Sequence, residues 1–93
     1  MPNQDPLRGD FTYLQVANDV HRRIWIGEYT HKLPSERALA EEYEVAYQTV
    51  RRSMEVLRGR GLIITRQGRG TFVNPDAPPE ALRPPPDPGN GQH

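Results

Sequence analysis

From Tyr13 to Ile26 the apolar residues Tyr13, Val16, Ala17, Val20 and Ile24 recur at intervals of three and four, the period of one helical face. Gly27 follows as a stop signal. The pattern predicts a first helix there. After a short connection, Leu33-Pro34 leads to Ser35, whose hydroxyl suits a helix N-cap, and Glu36 stands next to it at the positive end of the helix dipole. A second helix is expected to run to about Tyr43 and to bury Leu39, Ala40 and Tyr43. Only Glu44-Val45-Ala46 separates it from a third periodic run, roughly 47–58, in which Val50, Met54 and Leu57 share a face. Gly59 and Gly61 end that run. The β-rich stretches Leu62–Thr65 and Thr71–Val73 then flank Arg66-Gln67-Gly68-Arg69-Gly70, a glycine-containing hairpin loop.

Two short helices joined by a three-residue turn have helix-turn-helix spacing, and a hairpin directly after them is what a winged helix adds. The expected fold is therefore mainly α with a small β-hairpin: three helices plus a wing. An ordinary three-helix bundle with a stray hairpin would use the same elements. The placement of polar residues favours the first reading. The exposed side of the third helix offers Tyr47, Gln48, Arg51, Arg52 and Arg58, and the hairpin tip offers Gln67 and Arg69. Gln can bond an adenine edge bidentately, Arg can do the same to guanine or phosphate, and Thr49 can serve phosphate or a thymine methyl.

Charge taken as a total argues against a nucleic-acid partner, because twelve Lys+Arg balance twelve Asp+Glu. The balance is a sum over unlike parts. Residues 1–50 carry five basic and eight acidic groups, 51–70 six and one, and 71–93 one and three. Arg51, Arg52, Arg58, Arg60, Arg66 and Arg69 thus form a local cationic run between acidic flanks.

Prolines set the domain limits. Seven of ten lie in 75–93, and only Pro34 interrupts 7–74. We expect a flexible N-terminus over 1–10, a DNA-binding domain over 11–74, and a disordered proline-rich tail over 75–93, which has few apolar side chains to bury. A solvated tail is favoured over an SH3-type ligand at PPPDP. A folded unit of about 60 residues is marginal by size, so oligomerisation or ligand binding is expected to supplement it.

Other classes find no residues to carry them. The chain has no Cys, and His21, His31 and His93 are too scattered for a metal motif, so neither metal nor other cofactor is expected. No stretch has the 18 or so apolar residues of a membrane span, and no signal peptide is evident, so a soluble, cytoplasmic, nucleoid-associated protein is expected. An enzyme is not expected: Ser35 and Ser53 have no His or Asp partners suggested by spacing, and the GRG of the hairpin precedes no helix.

KLPSERALAEEYEV, TVRRSMEVLRGRGLI and TRQGRGTFV, in that order and spacing, resemble the winged helix-turn-helix domain of the GntR family of bacterial transcriptional regulators. YLQVANDVHRRI is similar to the first helix of its HutC-like and YtrA-like branches. The resemblance covers about 13–73. It implies a sequence-specific DNA-binding regulator, a repressor in most relatives, with the third helix in the major groove, the wing in the minor groove, and dimers on a two-fold symmetric site. Arg37 would contact backbone phosphate. Tyr47, Gln48, Thr49 and Arg51 would occupy base-reading and phosphate-binding positions, Gln67 and Gly68 the wing tip, with Arg69 beside them. Arg52 would either touch phosphate or pair with Glu55, and Arg37 either phosphate or Glu41. Arg58 and Arg60 are read as complements to the helix dipole. The competing reading is a winged-helix protein-interaction module.

Relatives usually add an effector or oligomerisation domain, whereas this chain offers only the proline tail. Glu44 stands where the family usually has Gly, which costs about 1 kcal/mol if the left-handed geometry is kept. Ala46 replaces a capping Ser, a loss on the order of 1 kcal/mol. Tyr47 replaces a common Arg, and the connection through Thr30-His31-Lys32 is shorter than usual. Trp25, Ile26 and Ile64 fall off the core phase. They are read either as a self-association patch or, for Trp25, as a lid on the end of the core.

Overall fold

Helix α1 (Tyr13–Trp25) begins where Thr12 and Gln15 satisfy each other's amides: the Gln15 N–H donates to Thr12 Oγ1 at 3.1 Å, and the Thr12 N–H to Gln15 Oε1 at 2.9 Å. This reciprocal capping box fixes the first turn. It belongs to a computed structural model that describes residues 11–86. The expected flexible segment 1–10, and residues 87–93 of the expected tail, lie outside the described residues. Along α1, Val16, Ala17, Val20 and Ile24 are buried as the period requires.

Helix α2 (Glu36–Tyr43) is capped by Ser35 Oγ, which accepts from the Ala38 amide at 3.0 Å. It buries Leu39 and Tyr43, while Ala40 is half-buried. The helix closes at Glu44 with φ 56° and ψ 46°, so the left-handed conformation is kept without glycine, at the steric cost anticipated for that position. Helix α3 (Tyr47–Gly59) follows with no side-chain cap at Ala46. Its buried face is Val50, Ser53, Met54 and Leu57. Ser53 Oγ shares its proton between the carbonyls of Tyr13 at 2.7 Å and Thr49 at 2.9 Å, which ties α3 to the start of α1.

Strands β1 (Ile63–Arg66) and β2 (Gly70–Val73) form the antiparallel wing, in register from Ile63↔Val73 to Arg66↔Gly70. The short connection has a role the sequence pattern does not reveal. Lys32 pairs with Phe72, the Leu33 amide donates to the Thr71 carbonyl at 2.9 Å, and the Val73 amide donates to that of His31 at 2.7 Å. Residues 31–33 are therefore a short third rung on the free edge of β2, and the wing is fastened to the residues just before α2.

The core joins Val16, Val20, Leu33, Leu39, Val50, Met54, Leu57, Leu62 and Ile63. A polar tie reinforces its α1–α2 side. The Arg23 guanidinium lies 2.7 Å from Glu28 Oε2 and 2.8 Å from Glu42 Oε2, donates to the Tyr43 hydroxyl at 2.9 Å, and covers the Tyr29 ring at 4.8 Å. The Tyr43 hydroxyl in turn donates to Asp19. Burial, with that bond, pushes the Tyr43 phenol well above its ordinary range.

Residues 75–86 depart from the expected disordered tail. A short helix α4 (Pro79–Leu82) turns back against α1, and Ala77, Ala81 and Leu82 pack on the core. The few apolar residues of this segment suffice because a buried polar group on α1 receives it. His21 Nε2 lies 3.0 Å from the Ala81 carbonyl oxygen and 3.1 Å from that of Leu82, and its Nδ1 lies 2.9 Å from Arg60 Nη1. Arginine can only donate, so Nδ1 accepts and Nε2 carries the proton: the ring is the neutral tautomer. Burial, aided by the Arg60 charge, lowers the His21 pKa below its ordinary value against the opposing pull of the two carbonyls.

Trp25 and Ile26, 48% and 58% exposed, end α1 on the surface, and Arg83 from the tail lies 5.9 Å from the Trp25 ring. Ile64 sits instead on the wing sheet, lining a hollow with His31 and Phe72. No helix among the described residues is long and apolar enough to cross a membrane.

Candidate nucleic-acid interface

The turn through Glu44-Val45-Ala46 sets the start of α3 beside the start of α2, and the wing closes the third side. The result is an open cleft of about 630 Å³ lined by Lys32, Ser35, Glu36, Arg37, Tyr47 and residues 65–71. Among the expected contact residues, Arg37, Tyr47, Gln67, Gly68 and Arg69 line this cleft. Gln48 and Arg51 are exposed on the adjoining first turns of α3. Thr49 is half-buried, its carbonyl taken by Ser53.

Tyr47, 44% exposed, stands between two guanidinium groups, with Arg37 5.9 Å and Arg51 6.0 Å from its ring centroid. The ring is a platform that holds two cations at the entrance of α3. At the wing tip the Arg69 amide closes the turn onto the Arg66 carbonyl at 2.8 Å. Gly68 adopts φ 79°, a conformation that suits glycine and leaves no side chain between backbone and groove.

The distribution of ion pairs decides what this face can do. Among the described residues the pairs are Arg22–Asp19, Arg23–Glu28 and Arg23–Glu42, all on the α1–α2 side. None involves Arg37, Arg51, Arg52 or Arg69, so the anticipated Arg37–Glu41 and Arg52–Glu55 pairs do not form. The cleft cations keep their charge available to an anionic partner, with Glu36 the one carboxylate lining the cleft among the described residues.

The other arginines are engaged elsewhere. Arg52 lies 4.1 Å over the Tyr13 ring of α1, away from Glu55. Arg58 donates to Thr65 Oγ1 at 2.7 Å, bracing the wing on α3 rather than serving only the helix dipole. Arg60 belongs to the His21 clasp, and burial lowers its pKa. Sequence reasoning left Lys32 and Arg66 out of the site although both line the cleft, each about 6 Å from the Phe72 ring at 5.8 Å and 6.0 Å. For Lys32 the signal was its place at the head of the KLPSER stretch, just before the α2 cap.

The chain is 36% identical over 73 residues to the HTH-type transcriptional repressor NagR of Bacillus subtilis, covering 76% of this chain and 30% of NagR. It thus spans less than a third of that relative. Among solved structures, the DNA-binding domain of AraR in complex with operator ORR3 superposes with a TM-score of 0.64 at 32% identity, covering 78% of this chain and 94% of that one. A GntR family regulator from Listeria monocytogenes superposes with a TM-score of 0.67 at 26% identity, over 88% of this chain and 68% of that one. Residues 12–73 match the family of bacterial regulatory proteins named for gntR, the larger part of the chain and the whole of its helix-turn-helix and wing. With that match and this fold, the chain belongs to the GntR family of transcriptional regulators.

Proposed function

We propose that the chain binds duplex DNA in a sequence-specific manner and represses transcription by occupying its site. The observation that carries this reading is the convergence on one face of Arg37, Arg51 and Arg69, cations without acidic partners among the described residues, beside the amide side chains Gln48 and Gln67. Helix α3 would enter the major groove with Tyr47, Gln48, Thr49 and Arg51. The wing would enter the minor groove through Gln67 and Gly68, and Arg37 and Arg69 would hold phosphate. Arg52, stacked on Tyr13, would reach phosphate only along the flank of α3. AraR, crystallised with operators through a similar domain, supports the reading by likeness. Two copies on a two-fold symmetric site, in the cytoplasm, complete the proposal.

The test is a salt titration of duplex binding, together with selection from a random duplex library. Affinity should fall with salt on a log-log plot by about 0.9 for each phosphate neutralised. Low overall charge should leave random duplex bound weakly compared with the selected site. A shallow salt slope, or equal affinity for random and selected duplexes, would sink the proposal.

A further inference from the structure

Lys32 is an exposed cation on the third rung of the wing. Its pairing with Phe72 is backed by hydrogen bonds on both flanks, from the Leu33 amide to Thr71 and from the Val73 amide to His31, so its backbone is held more firmly than that of a loop lysine. Its side chain runs across Gly70: a Cβ built on that glycine would lie 2.9 Å from Lys32 Cε and 3.5 Å from Nζ. The absence of a side chain at Gly70, which has φ 125°, makes the channel in which the lysine lies. The Phe72 ring lies 5.8 Å from the ammonium. No acidic group pairs with Lys32 among the described residues.

This channel opens into the cleft between the start of α3 and the wing tip. On a duplex, a helix in the major groove and a wing in the adjacent minor groove straddle one sugar-phosphate strand. We infer that Lys32 grips the phosphodiester between those two grooves and so fixes the spacing at which helix and wing engage DNA. Arg66, 6.0 Å from the same ring, also lines the cleft and adds to its positive charge. The inference rests on the proposed DNA-binding function and adds a contact that the recognition helix and wing tip do not supply. A compact, strongly hydrated ammonium suits it, because a phosphate met as a point charge needs no bidentate fork.

The experiment compares the intact chain with Lys32→Gln and Lys32→Arg on selected and random duplexes across a salt series. Loss of one phosphate contact should reduce the slope of Lys32→Gln by about 0.9 and make its affinity change about threefold less between 0.05 and 0.2 M salt. Both duplexes should weaken by a similar factor, and Lys32→Arg should retain the native slope. A native slope in Lys32→Gln, at an unchanged melting temperature, overturns the inference while leaving DNA binding intact. A loss confined to the selected duplex overturns it as well, since that would mark a base contact. Absence of duplex binding by the native chain would instead defeat the functional reading on which it stands.

Discussion

Replacing Gln48 and Arg51 together by alanine is expected to lower affinity for the selected duplex about 100-fold while leaving melting within a few degrees of the native protein. Each side chain is exposed on the first turns of α3, and neither makes a side-chain hydrogen bond or ion pair among the described residues. Surface changes of that kind stay within about 0.5 kcal/mol of native stability. A good bidentate pair with the correct base contributes about 1–3 kcal/mol of discrimination, and every 1.4 kcal/mol or so is tenfold in affinity. Two such contacts at the low to middle of that range give roughly two decades. The residues lie one turn apart, so their effects need not add, and both single variants belong in the titration. The sharper readout is specificity. The selected duplex should lose far more than a scrambled one, because phosphate contacts from Arg37 and Arg69 survive. An equal loss on both duplexes would place Gln48 and Arg51 on the backbone, and an undiminished affinity would remove α3 from the groove.

The second large effect lies away from DNA. Arg23→Ala is expected to destabilise the domain by about 3 kcal/mol, the low end for removing one member of a buried ionic network. The side chain is only 11% exposed, yet Glu28 and Glu42 are 44% and 48% exposed, so water screens much of each pair. What water cannot replace is the buried part: the bond to the Tyr43 hydroxyl and the packing of the guanidinium over the Tyr29 and Tyr43 rings. Its loss would leave Glu28 and Glu42 without the cation they share, with Arg22 still paired to Asp19. At roughly 4–8 °C per kcal/mol for a domain of this size, the melting temperature should drop by more than about 10 °C. Urea unfolding gives the free energy directly. A loss below about 1 kcal/mol would show that the network is surface decoration.

The helices were legible because a three-to-four period survives in a short sequence. Val16, Val20, Leu39, Val50, Met54 and Leu57 all lie where that period places them. The hairpin was legible from its β-rich runs and glycines. Residues 31–33 were not, since a rung of His-Lys-Leu is too short for alternation to register and its pairing with Phe72 is a distant contact. The docking of 75–86 was hidden for a related reason. Its few apolar residues count for little until a receiving surface exists, and that surface depends on His21. A signal was present: His21 follows Ala17 by four residues and so lies on the apolar stripe of α1, where a polar residue needs a partner. The site was legible in its residue types, and Lys32 was missed because, although it opens the KLPSER stretch, it precedes the helix and lies outside the wing tip. The stacking of Arg52 on Tyr13 joins two helices, so no local pairing rule could anticipate it.

The clasp between α1 and α4 also couples folding to protons. Unfolded, the His21 ring titrates near its ordinary 6.5, whereas in the fold burial holds the pKa lower. Above about pH 6.5 both states carry a neutral ring, and the clasp contributes its full stability. As the pH falls below that value, the unfolded chain takes up a proton that the folded chain resists, and stability declines until the folded ring titrates in turn. A protonated ring could no longer accept from Arg60 and would set two cations 2.9 Å apart. Mild acid therefore acts first where residues 79–82 meet α1, on the side of the domain that carries none of the proposed base-reading residues.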